Sequence, residues 1–261
     1  MADLIRPGDL DEDRLERSRR IDWLDMEKVL DCNCLVVGAG ALGNEVVKDL
    51  VLSGCQSITV VDMDRVVRSN LNRCVFFGEE DADARRFKSE VVALGARKLD
   101  PKASIVPLIH RIEELDESEF DRFDLAFGCL DNVAARLHLN SHAYLHRLPY
   151  IDGGTMGTSG KVQVILPPET PCLQCSMNRT HYHVLEKRFS CTGRETSFVE
   201  PKLPAEITTT SIIAAIQVRE GLKILSGRKE DCLRNVLYYN GLRNASEVFE
   251  APIDPQCPMH I

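Results

Sequence analysis

The 261-residue sequence contains no long apolar run, no secretion signal and no internal repeat. No segment approaches the roughly 18 to 20 consecutive apolar residues of a membrane-spanning helix, and residues 1–6 lack the hydrophobic centre of a signal peptide. No low-complexity segment interrupts the chain. The sequence therefore predicts a cytoplasmic protein that neither crosses a membrane nor forms a repeat array.

An excess of positive charge is also missing. With 32 basic and 40 acidic residues, the net charge is -8, so electrostatics gives no reason to expect nucleic acid or an anionic membrane as a partner. The length and a hydrophobic share of 44% suffice for one large α/β domain. Ten cysteines without a secretion signal are typical of thiols, metal ligands or a nucleophile rather than disulfides.

A glycine-rich turn is the most informative motif. Gly38, Gly40 and Gly43 follow the apolar strand 34–37 and open a helix, and a second strand ends at Asp62. Glycines allow a tight turn and close approach of the backbone, and the helix N-terminus offers N–H groups to phosphate oxygens. The acid after the second strand suits a ribose hydroxyl, so the pattern predicts a nucleotide-binding β-α-β unit; by itself it would also fit NAD.

Strand and helix patterns alternate through the first 150 residues. This alternation predicts an α/β fold with a doubly wound (Rossmann-like), mainly parallel sheet. The alternating run 160–166 predicts antiparallel strands that extend the sheet. The predicted strands are 34–37, 58–62, 104–109, 124–128 and 149–151, and the predicted helices are 44–53, 86–99, 131–147 and about 210–225.

The chain divides into two regions, and the second contains a stretch of different character. Residues 1–30 are rich in charge and predict a solvated helical arm, and 31–261 form the main domain. Within it, the polar and irregular stretch 176–209 is the best candidate for a mobile loop.

Charged residues recur where ligands bind in an open α/β sheet, beyond the carboxyl ends of its strands. Arg73 follows the second strand, Lys88 opens a helix, and Asp131 ends a parallel strand. Cations neutralise charge on reacting phosphates and a carboxylate binds Mg²⁺, so the set suits a triphosphate, although each residue alone is more typical of a surface ion pair.

Six motifs together resemble the adenylation domain of ubiquitin-activating enzymes and their sulfur-carrier relatives, the ThiF-like family. The resemblance runs from about residue 30 to the C-terminus. One departure is Cys74, where the family usually has glutamine. The motifs are the glycine-rich turn 38–43, Asp62 to Asp64, Ser69 to Arg73, Lys88 to Val91, Leu130 to Asn132 with Arg136, and Ile151 to Thr155.

The resemblance implies that ATP and Mg²⁺ are used to adenylate the C-terminal glycine of a ubiquitin-like protein. It implies catalytic roles for Arg73, Lys88 and Asp131, with Asp131 also binding Mg²⁺. The nucleotide contacts that it implies are Gly38, Gly40, Ala41, Gly43, Asp62, Asp64, Asn70, Arg73, Lys88, Asp131 and Asn132.

Two cysteine features remain. Cys172 and Cys175 form half of a zinc site that Cys257 and His260 would complete, because three thiolates and an imidazole suit a tetrahedral Zn²⁺; the alternative is a set of buried thiols and an ordinary tail. Cys191 resembles the thioester-forming cysteine of ubiquitin-type enzymes, and nearby basic residues would favour its thiolate. The other cysteines are predicted to be packing residues: Cys32, Cys34, Cys55, Cys74, Cys129 and Cys232.

The resemblance also implies a homodimer in which an arginine of the arm reaches the partner's ATP. The candidates are Arg14, Arg17, Arg19 and Arg20; the usual explanation for such a cluster is a solvated charge run. Only about thirty residues separate Cys175 from the last helix, so no large cysteine domain is expected, and a conjugating enzyme is a possible partner. The alternatives are a sulfur-carrier adenylyltransferase of the thiamine or molybdopterin type, an NAD-dependent oxidoreductase and a non-catalytic partner scaffold.

Overall fold

One eight-stranded sheet organises the protein. The computed structural model describes residues 13–176 and 204–260. The strands lie in the order β3-β2-β1-β4-β5-β6-β7-β8. Their bounds are Asn33–Val37 (β1), Ser57–Val61 (β2), Ser104–Leu108 (β3), Leu125–Gly128 (β4), Tyr150–Met156 (β5), Ser159–Ile165 (β6), Val236–Asn240 (β7) and Ala245–Phe249 (β8).

Strands β1 to β5 pair in parallel, and β5 to β8 pair antiparallel. The predicted Rossmann-like sheet with an antiparallel extension is therefore confirmed. The α-helices of the described chain are Glu16–Arg19 (α1), Met26–Asp31 (α2), Ala41–Ser53 (α3), Glu79–Asp83 (α4), Lys88–Leu99 (α5), Val133–Leu145 (α6) and Ile207–Leu225 (α7).

Strand β5 and helix α7 are both longer than the sequence predicted. Strand β5 continues from the predicted 149–151 to Met156 because its whole length pairs with β6. Helix α7 begins at Ile207 rather than near residue 210. Its N-cap residue, Glu206, accepts hydrogen bonds from the backbone N–H groups of Thr208 and Thr209, and such caps satisfy donors that the first helical turn leaves open.

Hydrophobic cores form on both faces of the sheet, because successive side chains of a strand point to opposite sides. In β1, Cys34 and Val36 pack into the core on the side of α3, α5 and α7. Leu35 and Val37 pack into the other core, which includes Leu139 of α6. The sheet is thus sandwiched between helices.

The described part of the N-terminal arm packs against its own chain. Leu15 is buried beside Gly54, and Arg14 forms an ion pair with Asp100 in which Nη1 and Oδ2 are 3.0 Å apart. Both contacts lie near the amino ends of the parallel strands, away from the glycine-rich turn. Among the residues described, no helix is long and apolar enough to span a membrane.

Candidate functional site

The glycine-rich turn lies between β1 and β4, where the strand order of the sheet reverses. In open α/β sheets, this reversal creates a crevice at the carboxyl ends of the strands. Gly38 has a φ of 97°, and a β-carbon there would lie 2.5 Å from the carbonyl oxygen of Cys129. A β-carbon on Gly43 would lie 1.9 Å from the carbonyl oxygen of Gly38. These two positions therefore need glycine so that the turn can close.

Gly40 differs from the other two because it faces open space. It is the N-cap residue of α3, and a β-carbon there would have no protein atom within 4 Å. The following residue, Ala41, is the first of the helix and is half-buried. Free N–H groups at a helix start favour anions, so the space beside Gly40 can accommodate a phosphate group.

Asn44 holds the turn in place, a role that the sequence did not reveal. Its side chain is fully buried. The Nδ2 atom donates to the carbonyl oxygens of Ala39 and Gly40, both at 2.9 Å, and the Oδ1 atom accepts from the backbone of Phe76 at 3.1 Å. Because a buried amide left unpaired is costly, this triple contact fixes the turn against the segment after β2.

Asp62, the predicted ribose ligand, directly follows β2 beside the turn. Its carboxylate accepts from the backbone N–H groups of Ala39 and Asp64, both at 2.7 Å. Burial raises the pKa of Asp62, and the nearby charge of Lys88 opposes that rise. Since each carboxylate oxygen has two lone pairs, Asp62 can bond to the backbone and still accept a ribose hydroxyl.

Lys88 is the cation at the centre of the site. Its ammonium lies 2.8 Å from the Asp64 carboxylate, and only 13% of its side chain is exposed. Burial lowers the pKa of Lys88, but the charges of Asp62, Asp64 and Asp131 outweigh that effect and raise it. The structure thus brings together four predicted site residues, and the lysine is fully charged at neutral pH.

Arg73 and Asn70 lie on the turn after β2. The Arg73 guanidinium donates to the carbonyl of Ser69 and to the side chain of Asn72, and Asn70 accepts from the N–H of Val67. These contacts are local. Burial raises the pKa of the adjacent Cys74 to about 11, although the charges of Arg73 and Lys88 counteract this, so both cations act electrostatically on the same buried thiol.

Asp131 and Asn132 follow β4 on the opposite side of the crevice. Asp131 is exposed, and the Asn132 side chain caps α6 by accepting from the N–H of Ala135 at 2.8 Å. Behind them, the Arg136 guanidinium donates to the carbonyl of Leu130. One turn of α6 thus fixes the backbone that carries Asp131, an exposed carboxylate that acts electrostatically on Lys88.

The four residues predicted to bind zinc come together away from this crevice. The ligand atoms of Cys172, Cys175, Cys257 and His260 all lie within 4.8 Å of one another. The Sγ atom of Cys172 is 3.8 Å from that of Cys175 and 3.6 Å from that of Cys257. Burial raises the pKa of Cys172 to about 12. Tyr144 contacts both ring nitrogens of His260 through its hydroxyl group.

The predicted nucleophile, Cys191, lies outside the described residues, as does most of the predicted loop 176–209. The last three residues of that predicted loop belong to α7 instead. The cysteines predicted to be packing residues are all buried: Cys32, Cys34, Cys55, Cys74, Cys129 and Cys232.

Comparison with known proteins agrees with this geometry. The sequence model of the ThiF family matches residues 13–259. The NEDD8-activating enzyme E1 catalytic subunit of Schizosaccharomyces pombe is 32% identical over 180 residues, which are 67% of this chain and 39% of that protein. The "Ubiquitin-activating enzyme E1-like" protein of Saccharomyces cerevisiae is 33% identical over 157 residues, or 59% of this chain and 24% of that protein. The chain therefore spans well under half the length of these relatives.

Solved structures extend the similarity to the whole fold. A crystal structure of E. coli MccB with ATP superposes with a TM-score of 0.75 at 19% identity, covering 97% of this chain and 76% of that one. The microcin C7 biosynthetic enzyme MccB in complex with N-formylated MccA gives a TM-score of 0.77 at 18% identity, covering 96% and 75%. At such low identity the likeness establishes the fold alone.

Proposed function

Because this chain belongs to the ThiF family, we propose that it is an adenylyltransferase that uses ATP to activate the C-terminal carboxylate of a ubiquitin-like protein. One observation carries this proposal: Lys88 lies in the crevice beside Asp64, within electrostatic reach of Asp62 and Asp131. A charged lysine at the glycine-rich turn suits a triphosphate, whereas hydride transfer to or from NAD requires no such cation.

In the first step, the terminal carboxylate of the ubiquitin-like protein attacks the α-phosphorus of ATP. A bond forms between a carboxylate oxygen and the α-phosphorus, and the bond to the bridging oxygen breaks to release pyrophosphate. Lys88 and Arg73 neutralise the charge that develops on the phosphate oxygens. The free N–H groups near Gly40 bind and orient the phosphates, and Asp62 binds the ribose.

Asp131 would hold Mg²⁺, because it is an exposed carboxylate next to the lysine and hard oxygen ligands suit this ion. A bound Mg²⁺ supplies charge neutralisation at the phosphates. Arg136 keeps the backbone of Asp131 in place through the Leu130 carbonyl. Asn132 starts the helix that carries Arg136, and its side chain caps that helix.

In the second step, the Cys191 thiolate attacks the carbonyl carbon of the acyl-adenylate. A thioester bond forms, the acyl-oxygen bond to phosphate breaks, and AMP leaves. This step rests on the likeness of Cys191 and Thr192 to the thioester motif of ubiquitin-type enzymes. The thioester would then pass to an acceptor such as a conjugating enzyme.

The cysteine cluster at the C-terminus has a structural role in this proposal. Cys172, Cys175, Cys257 and His260 match the ligand number and type of a closed zinc site. Zinc there would fasten the end of the chain to the segment after β6. The cysteine cluster lies away from the crevice in the fold, so zinc there takes no part in the chemistry.

The proposed enzyme acts as a homodimer. In the chain itself, Arg14 pairs with Asp100 near the amino ends of the strands, so this arginine does not reach the crevice of its own subunit from that position. In the proposed dimer, an arginine of the arm acts on the partner's nucleotide. Sedimentation of the purified protein tests this: we expect a dimer at micromolar concentration, and a monomer that retains activity would refute it.

The function is tested by incubating the protein with ATP, Mg²⁺ and candidate ubiquitin-like proteins while measuring pyrophosphate exchange. Non-reducing gels of the same reactions detect thiol-sensitive adducts. We expect exchange that requires an intact C-terminal glycine, and an adduct that disappears on reduction. Exchange without an adduct would favour the sulfur-carrier alternative, whereas tight binding of NADH and no exchange would contradict the proposal.

A further inference from the structure

Three buried thiols form a second cysteine cluster at the amino ends of β1 and β2. The Sγ atom of Cys32 lies 3.3 Å from that of Cys55 and 3.7 Å from that of Cys34, and the Cys34 and Cys55 sulfurs are 3.7 Å apart. The three residues are at most 3% exposed. We refer to these three residues as the trithiol cluster. The proposed adenylation site uses none of them.

The geometry of the trithiol cluster suits a single central atom. Sulfur atoms bonded to one thiophilic centre at about 2.3 Å lie roughly 3.4 to 4.0 Å apart, close to the spacing observed here. The sulfurs of Cys172, Cys175 and Cys257 show similar spacing, at 3.6 and 3.8 Å for the two pairs that Cys172 makes. That second group has His260 as a fourth donor, whereas the trithiol cluster has no fourth histidine, carboxylate or cysteine donor among the described residues.

The net charge of the complex decides which central atom suits the trithiol cluster. Three thiolates around a divalent or monovalent ion leave a net negative charge, which is expensive to bury without a partner. Asp124 acts electrostatically on both Cys32 and Cys55, so another anion there would be more costly still. A trivalent centre gives a neutral complex with three thiolates and requires no counterion.

We propose that the trithiol cluster is a binding site for trivalent arsenic, supplied as arsenite. Arsenous acid reacts with the three thiols: three As–O bonds and three S–H bonds break, three As–S bonds form, and three water molecules leave. No oxidant or reductant takes part. Arsenic then bonds to three sulfurs and carries no net charge, as the buried surroundings demand.

Access to the cluster lies through α2. Cys32 directly follows this six-residue helix, and its Sγ contacts the carbonyl oxygen of Val29 in the helix at 3.1 Å. Short helices open locally at low cost. Outward movement of α2 would expose Cys32 first. Bound arsenic would then link the end of α2 to β1 and to the loop before β2.

The test is to load the full protein with zinc, incubate it with arsenite, remove the excess and count arsenic atoms per chain by elemental mass spectrometry. We expect Cys34→Ala to bind one arsenic fewer than the wild type, and thiol titration to show three fewer free thiols in arsenic-loaded wild type. Cys129→Ala, which removes a buried thiol outside the cluster, should bind as the wild type does. The arsenic count of each variant is compared with that of the wild type, so this comparison holds even if zinc does not occupy the other cysteine group.

X-ray absorption of the Cys257→Ser variant gives a second measurement that needs no change in the trithiol cluster. Arsenic bound by three sulfurs is expected there. Any of three results would overturn the proposal. They are equal arsenic counts in wild type and a folded Cys34→Ala, an arsenic bound by only two sulfurs, and no arsenic in Cys257→Ser.

Discussion

The guanidinium of Arg136 on α6 donates from one nitrogen to both carboxylate oxygens of Asp152 on β5, at 2.7 and 2.6 Å. Asp152 is fully buried, and the hydroxyl of Tyr150 donates to it at 2.8 Å. The same arginine bonds to the carbonyl of Leu130. A buried ion pair thus connects the sheet to the backbone beside Asp131.

Arg136→Met is expected to destabilise the protein by about 3 kcal/mol, because it leaves the buried Asp152 carboxylate with only the partly exposed Lys161, 3.8 Å away, as a charged neighbour. Tyr150→Phe removes only a hydrogen bond and should cost about 1 kcal/mol. Urea unfolding measures both. A loss below 1 kcal/mol for Arg136→Met would show that Asp152 does not depend on this pair.

Lys88→Ala is expected to lower pyrophosphate exchange by about 100- to 1,000-fold, the range for removing one group that stabilises transition-state charge. Lys98→Ala serves as the control, because Lys98 is an exposed lysine on the same helix, α5. It should leave exchange unchanged. Similar rates for the two variants would remove Lys88 from the proposed mechanism.

Two alanine substitutions in the glycine-rich turn should behave differently. Gly43→Ala places a methyl group 1.9 Å from the Gly38 carbonyl oxygen, so the turn must shift, and both stability and ATP binding should fall. Gly40→Ala meets no protein atom within 4 Å and should fold normally, but its methyl group enters the space proposed for phosphate. Thermal unfolding and ATP titration separate these effects; normal unfolding of Gly43→Ala would contradict the packing.

Glu206 should stabilise α7 in a pH-dependent way. Hydrogen bonds from Thr208 and Thr209 lower the pKa of Glu206 from 4.5 to about 2. Because the folded-state value lies below the unfolded one, the cap is fully effective above pH 4.5 and weakens as the pH falls toward 2. Glu206 is only partly buried, so solvent screening keeps the effect small.

Glu206→Ala is therefore expected to cost about 1 kcal/mol at pH 7, the usual value of an N-cap. Glu206→Asp, which keeps a capping carboxylate, should retain most of that stability. When unfolding is measured at several pH values, the free energies of unfolding of wild type and Glu206→Ala should converge in acid. A constant difference down to pH 2 would exclude the carboxylate as the cause.

The order of strands and helices was predictable because it depends on local patterns. The apolar strand before Gly38 and the acid after β2 define the first β-α-β unit, and the structure confirms it. The end of β5 was not predictable: its glycines resemble a turn, yet Gly153 is covered by the side chain of Gln217, which donates to the carbonyls of Gly128 and Ile151.

The family motif names Lys88 and Asp62 as site residues, and the structure brings the two close enough to interact electrostatically; their roles stay predictions. The residues that position them could not be predicted from the sequence. Asn44 could have been read only as a helix residue, and its contacts with Phe76 join positions 32 residues apart. Likewise, the sequence predicts Cys32, Cys34 and Cys55 as separate packing residues. Their proximity depends on the parallel pairing of β1 with β2.

The most direct test of the account compares Asp131→Ala with Cys191→Ala in one pyrophosphate-exchange assay, with wild type as the reference. We expect Asp131→Ala to lose exchange, because adenylation fails, whereas Cys191→Ala keeps exchange and loses only the thiol-sensitive adduct. Exchange at the wild-type rate in Asp131→Ala would contradict the assignment of the crevice as the site of adenylation.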